Sequence, residues 1–158
     1  MKKELNILIV FVVLWCAGIL AAPIFSGSII SSFLYRFYSV VCHQFYSRSF
    51  IIHNDPVAVC IRCTSIYFGF LSVLIIVRIL PQIRSKNFNT IIVLTISSLP
   101  MCIDGIASLL NIQESTTMSR IITGSIFGIG MAFLLHRSLT EIIHTYIIKR
   151  TKEYEFEA

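Results

Sequence analysis

Apolar residues run through this chain in four blocks too long for the elements of a soluble core, separated by short polar interruptions. The first, from Leu5 to Phe25, carries no charge and follows Lys2 and Lys3. The second runs from about Val57 to Leu80, with an uncharged centre from Cys63 to Val77 bounded by Arg62 and Arg78. The third, from about Phe88 to Asn111, contains one charge, Asp104, and the fourth runs from about Arg120 to Leu135 before continuing as a polar-faced extension toward Lys149. Because roughly 20 apolar residues cross a bilayer as a helix, the pattern predicts four spans, at about 5–25, 57–80, 88–111 and 120–140. Pro56 suits the first turn of the second span and Pro81 its end. Short connections at 81–87 and 112–119 favour antiparallel neighbours. The expected fold is an all-α integral membrane protein, a compact four-helix bundle forming one transmembrane domain over the whole chain.

Residues 28–50 do not continue this pattern, since Phe33, Tyr35, Phe37, Tyr38, Phe45, Tyr46 and Phe50 are interleaved with serines, Arg36 and Arg48. Aromatic rings favour the headgroup boundary, so an interfacial helix followed by a loop is predicted between the first two spans. Ile29, Ile30, Phe33, Phe37, Val40 and Val41 approximate one helical face, which would lie on the bilayer or cap the bundle.

Composition agrees with a membrane location: 56% hydrophobic and 13% charged residues are too apolar a balance for an ordinary soluble domain. The first span exceeds a signal-peptide core, and neither Ile19/Ala21 nor Leu20/Ala22 is a small-x-small pair, so an uncleaved signal anchor is expected. Lys2, Lys3, Arg78, Arg84, Lys86, Arg137, Lys149, Arg150 and Lys152 fall on one side of the four-span arrangement. Arg36, Arg48, Arg62 and Arg120 fall on the other. The positive-inside rule then places both termini in the cytoplasm and the intervening segment outside the cytoplasmic membrane. Topology and anionic lipid thus account for the net charge of +5 without a nucleic-acid partner. The bilayer is the expected partner, with a lipid-soluble small molecule and a second copy of the chain as further options.

That outer side collects the residues capable of chemistry. Cys42, His43, His53, Cys60 and Cys63 lie within 22 positions, whereas Cys16 and Cys102 stand alone in apolar runs. A C-x-x-C pair at a helix start can chelate one ion, and Cys42 with His43 or His53 would complete the Cys3His set that zinc prefers. Adjacent Cys42 and His43 diverge on most backbones, which makes His53 the alternative fourth ligand. Zinc is the expected cofactor, with iron or no metal as alternatives.

The same thiols allow redox work, because Arg62 and a helix N-terminus both favour thiolate. The layout resembles quinone-linked disulfide-forming membrane proteins, although the 112–119 connection lacks the further cysteines of those systems. A plain disulfide or a structural zinc knot would use the same atoms. Asp104 is costly within a span unless paired, so contact with Arg62, Arg120 or the cysteine cluster is expected. In a catalytic role Asp104 would act as general base, proton relay or oxygen ligand, with Arg62 or Arg120 holding an anionic or carbonyl group. Small residues at Ser65 and Gly69, and at Gly124 and Gly128, predict close helix contacts.

Cys42-His43-Gln44, Arg48-Ser49-Phe50 and Cys60-Ile61-Arg62-Cys63-Thr64 with Tyr67 and Gly69 together resemble the signature of the domain of unknown function 2085 family. Asp104 and the Arg120, Thr123, Gly124 stretch extend the likeness to most of the chain, and Ser65 stands where the pattern usually has Gly. The resemblance implies a small prokaryotic membrane protein and brings no reaction with it. It marks Gln44, Arg48 and Tyr67 as expected supports around the thiols.

Overall fold

Without water to bond its backbone, a chain spanning a bilayer must close its hydrogen bonds within helices. The structure, a computed structural model that describes residues 2–80, 89–110 and 115–156, is built accordingly. Its helices are α1 (Lys2–Ile24), α2 (Ile29–Tyr38), α3 (Ile61–Ile79), α4 (Thr90–Leu109) and α5 (Thr117–Phe156). Four of them, α1, α3, α4 and α5, are long and apolar enough to cross a membrane. The 40 residues of α5 extend about 60 Å, roughly twice the hydrocarbon thickness. Its apolar part, Thr117–Leu139, suffices to span, and the remainder carries the polar extension beyond the core. Pro81 and the 81–87 connection lie outside the described residues, as do 111–114 in the second connection.

On α4, Ile91, Ile92, Ile96, Leu99, Ile103, Ile106 and Leu109 are all exposed. A face of that extent belongs against lipid.

Packing departs from the simple hairpin expectation. The central pair is α3 with α5; α1 flanks α3, and α4 packs chiefly on α5 instead of on its sequence neighbour α3. The row arises because α5 has small residues on two sides. A Cβ at Gly124 would stand 2.7 Å from the Arg62 carbonyl oxygen, and a Cβ at Gly69 would stand 2.7 Å from that of Ser125. A Cβ at Gly128 would collide with the Ile66 carbonyl, and one at Gly130 with the Ser97 hydroxyl of α4. Alanine at Gly128 therefore has to push α3 and α5 apart. We expect it to cost about 1–3 kcal/mol in unfolding experiments in detergent, and an unchanged transition would show that the backbones do not approach this closely.

The second span begins later than its hydropathy suggests. Val57, Ala58 and Val59 are buried yet not helical, and Pro56 lies in a strand rather than in a first helical turn. β1 (Ile51–Ile52) and β2 (Asp55–Pro56) form an antiparallel hairpin whose corner residues, His53 and Asn54, have φ of 50° and 70°. Positive φ at both corners is the type I′ pattern that matches strand twist, and it holds the chain away from helix until Cys60.

The interfacial helix is present as α2, capped by Ser28. Its apolar residues Ile29, Ile30, Phe33 and Phe37, with Val40 and Val41 beyond its end, are exposed, so this face is turned toward lipid and does not cap the bundle. The opposite face binds. Ser31 Oγ donates to the Ala22 carbonyl at 2.7 Å, Tyr38 Oη to that of Trp15 at 2.7 Å, and Tyr35 Oη to that of Pro56. Gly18 leaves the space that the Tyr38 hydroxyl fills. The core beneath the site consists of Ile19, Ala22, Tyr38, Cys42, Val57, Ala58 and Val59, joining α1, the end of α2 and the segment before α3.

Candidate metal centre

Cys60 is the N-cap of α3, with extended backbone at φ −65° and ψ 161°, and Cys63 is the third helical residue. This spacing puts the two thiols at the N-cap and N3 positions, side by side at the start of one helix. The first turn also leaves backbone N–H groups without helical partners, facing the sulfurs. A hydrogen bond from the Cys63 thiol, followed by the backbone N–H groups of Cys63 and Arg62 and the Cys42 thiol, draws the Cys60 thiol down to about 5 against the opposing effect of burial.

In metal-free protein the stabilisation from this thiolate is complete above the ordinary value of 9.0, declines as pH falls and is lost through about 5. Alkylation of Cys60, followed by mass spectrometry of its peptide, should accordingly be half-maximal near pH 5. A midpoint near the ordinary value of 9.0 would show that these hydrogen bonds are not made.

Cys42 arrives from the other side. It follows α2, its N–H donating to the Tyr38 carbonyl at 3.0 Å, and its buried Sγ accepts from the Cys60 N–H at 3.2 Å. The loop beyond it turns at Gln44, where φ is 52°. Gln44 Nε2 donates to the carbonyls of Tyr35 at 2.7 Å and Ala58 at 2.8 Å, clamping the Cys42 loop to the segment leading into Cys60. The sulfurs of Cys42, Cys60 and Cys63 lie within 4.8 Å of one another, and all five cysteines are free thiols. Tetrahedral coordination with Zn–S bonds of about 2.3 Å needs sulfurs roughly 3.8 Å apart, so small rotations would close the set around one ion. Soft thiolates of this kind favour zinc, copper(I) or iron–sulfur chemistry over magnesium or calcium.

The thiols stand in the wall of a cavity of about 260 Å³. His43, Arg48, Arg62 and Arg120 line it together with apolar Val41, Phe45 and Met101. His43 stacks on Phe45 with centroids 6.0 Å apart, and the Arg48 guanidinium lies 5.6 Å from the centre of the same ring. Ser49, buried behind them, donates to the Phe45 carbonyl at 3.0 Å.

Arg62 pairs with Asp104, linking α3 to α4. Asp104 also accepts from Ser115 Oγ at 2.8 Å and from Ser119 Oγ, while Arg62 and Arg120 donate to Ser115 Oγ at 3.3 and 3.2 Å. Asp104 lines a second cavity of about 330 Å³ with Ser115, Thr116, Ser119 and Thr123.

The expected residues thus separate into groups. Cys42, Cys60 and Cys63 come together as donors; the mutually close set contains no histidine. His43 lines the cavity with Arg48, Arg62 and Arg120, whereas His53 occupies the exposed corner of the hairpin. Asp104 meets Arg62 but not Arg120, which bonds Ser115 instead. Tyr67 lies in the packing around Trp15, with ring centroids 5.7 Å apart. Sequence reasoning missed Ser115 and Ser119, which approach Asp104 from the connection before α5 and from its first turn; their nearness in sequence to Arg120 was the available signal.

Residues 42–134 match the model of a family described as predicted membrane protein (DUF2085). An uncharacterised protein of Methanocaldococcus jannaschii is 33% identical over 152 residues, which is 91% of this chain and 97% of the relative. An uncharacterised protein of Methanothermobacter thermautotrophicus is 31% identical over 94 residues, covering 60% of this chain and 83% of the relative. No solved structure matches the chain.

Proposed function

We propose that this chain, which belongs to the DUF2085 family of predicted membrane proteins, holds one thiophilic ion, zinc by preference, on Cys42, Cys60 and Cys63. The observation that carries this reading is the mutual proximity of three free thiols in the wall of a cavity. Three protein ligands with an open fourth position are the pattern of catalytic zinc, whereas structural sites are closed by a fourth side chain. His43, at the same cavity, is the side chain available to close it. Lysines and arginines concentrated at the opposite end support an extracytoplasmic site with both termini in the cytoplasm.

An ion so placed would act as a Lewis acid, in hydrolysis or transfer on a lipid-soluble or envelope substrate. Arg62 and Arg120 would orient the substrate, with Asp104 holding Arg62 in place. A metal-delivery role would use the same ligands and release the ion.

Elemental analysis of protein purified without chelator tests the reading. About one zinc per chain is expected in the wild type and none in a Cys60→Ser, Cys63→Ser double variant. Equal metal in both proteins would sink it.

The low thiol of Cys60 favours a second reading, thiol–disulfide exchange. A thiolate of a partner dithiol would attack the Cys60–Cys63 disulfide, displacing Cys60 as thiolate, and the partner's second thiol would resolve the mixed disulfide, leaving the partner oxidised and the pair reduced; a quinone, itself reduced to quinol, would reoxidise the pair. Metal-free protein isolated with a Cys60–Cys63 disulfide would replace the metal reading with this one.

A further inference from the structure

Positive charge around the thiol cavity exceeds what the described residues neutralise. Arg48 comes from the loop after α2, Arg62 from α3 and Arg120 from α5, and no carboxylate lines the cavity among the described residues. Asp104 offsets one of these charges through its pair with Arg62. Three thiolates around a divalent ion contribute −1, the three guanidiniums +3 and Asp104 −1, leaving a net +1. Arg62 Nε is in addition buried without a hydrogen-bond partner among the described residues, an arrangement costly to leave unmet.

We propose that the cavity takes a singly charged phosphoryl group, held by Arg48 and Arg120 beside the ion, with Arg62 forming its inner wall. The charge sum rests on the metal reading above. Guanidiniums reaching one cavity from three different elements suit a tetrahedral oxyanion better than a planar carboxylate, because its oxygens present acceptors in more than one plane. A phosphodiester carries the single negative charge that the count requires. The volume of about 260 Å³ falls just short of the ~300–1,000 Å³ of sites that enclose whole drug-sized ligands, so a headgroup fits and acyl chains do not. Val41, Phe45 and Met101 supply an apolar wall, and exposed Ile29, Ile30 and Phe33 lie on the neighbouring helix, α2. An amphiphile could thus keep its chains in the bilayer while its phosphoryl group enters.

Titration calorimetry on full-length protein in mild detergent decides this, with two probes, short-chain phosphatidylglycerol and inorganic phosphate. Saturable binding of the lipid alone assigns a lipid headgroup; binding of both with similar affinity assigns a free phosphoryl ligand. In either case Arg48→Gln and Arg120→Gln are each expected to weaken binding about tenfold or more.

Metal content and a monodisperse elution profile, measured on the same samples, show that the variants remain folded. Arg48→Lys and Arg120→Lys, which keep charge and lose the planar fork, should fall between. Metal-loaded protein that binds neither probe, or glutamine variants that bind as well as wild type, would overturn the anion site while leaving the metal reading intact. Phosphoryl binding by a chain that carries no metal would remove the metal reading and keep the anion site.

Discussion

A chelator that strips zinc from the wild-type protein is expected to lower its stability by about 4 kcal/mol relative to protein kept at free zinc a thousandfold above Kd. The three sulfurs belong to segments that only tertiary structure joins: Cys42 follows α2, and Cys60 and Cys63 open α3. An ion bound to all three is absent from the unfolded chain, so its binding energy becomes folding energy. The Gln44 clamp and the Cys60 N–H to Cys42 bond remain in the stripped protein, which limits the loss to less than full unfolding.

Circular dichroism of denaturant unfolding in detergent, with and without chelator, measures the difference. A Cys60→Ser, Cys63→Ser variant should show no response to chelator. If the zinc-loaded wild type shows none either, the ion is not bound between these segments. Protons compete with the metal for sulfur, so affinity should fall as pH is lowered; Cys60, with its thiol near 5, is the donor that resists this.

Replacing Asp104 with alanine should destabilise the protein by about 3 kcal/mol. The carboxylate and guanidinium are 12% and 24% exposed, which places the effect at the low end of the range for breaking a buried pair. The substitution strands the Arg62 charge between α3 and α4 and removes the acceptor of the Ser115 and Ser119 hydroxyls. If the stranded charge is the cause, an Arg62→Met, Asp104→Leu double variant should recover most of the loss. Unfolding free energies for the two single variants and the double variant complete the cycle. Simple addition of the single effects would show that the pair does not interact.

Periodicity and composition reveal some features of this molecule and leave others dark. Apolar blocks placed α1, α4 and the start of α5 well, because lipid must be met by an unbroken apolar surface whatever the neighbours do. The second block misled at its beginning. Val57, Ala58 and Val59 are apolar because they are buried in the core under the thiols, and hydropathy cannot distinguish a core-facing irregular segment from the first turn of a span. His53 looked like a ligand by proximity in sequence, whereas the hairpin assigns it a positive-φ corner. The apolar face of α2 was legible, but whether it met lipid or protein depended on Ser31, Tyr35 and Tyr38, whose hydroxyls find carbonyls only in the folded chain.

By itself the sequence determined the membrane class, the four spans, the aromatic segment between the first two, the C-x-x-C pair and the need of Asp104 for a partner. These follow from local rules: hydrophobic length, spacing along a helix and the cost of a lone charge in hydrocarbon. Tertiary structure alone decided that the close thiol set is Cys42, Cys60 and Cys63 without a histidine, that His43 rather than His53 faces the cavity, that Arg62 rather than Arg120 is the partner of Asp104, and that α4 packs chiefly on α5. Each of these is a contact between segments far apart in the chain. Such contacts depend on how closely backbones can approach, as the glycines of α5 allow, and on which buried polar atoms are left to satisfy one another.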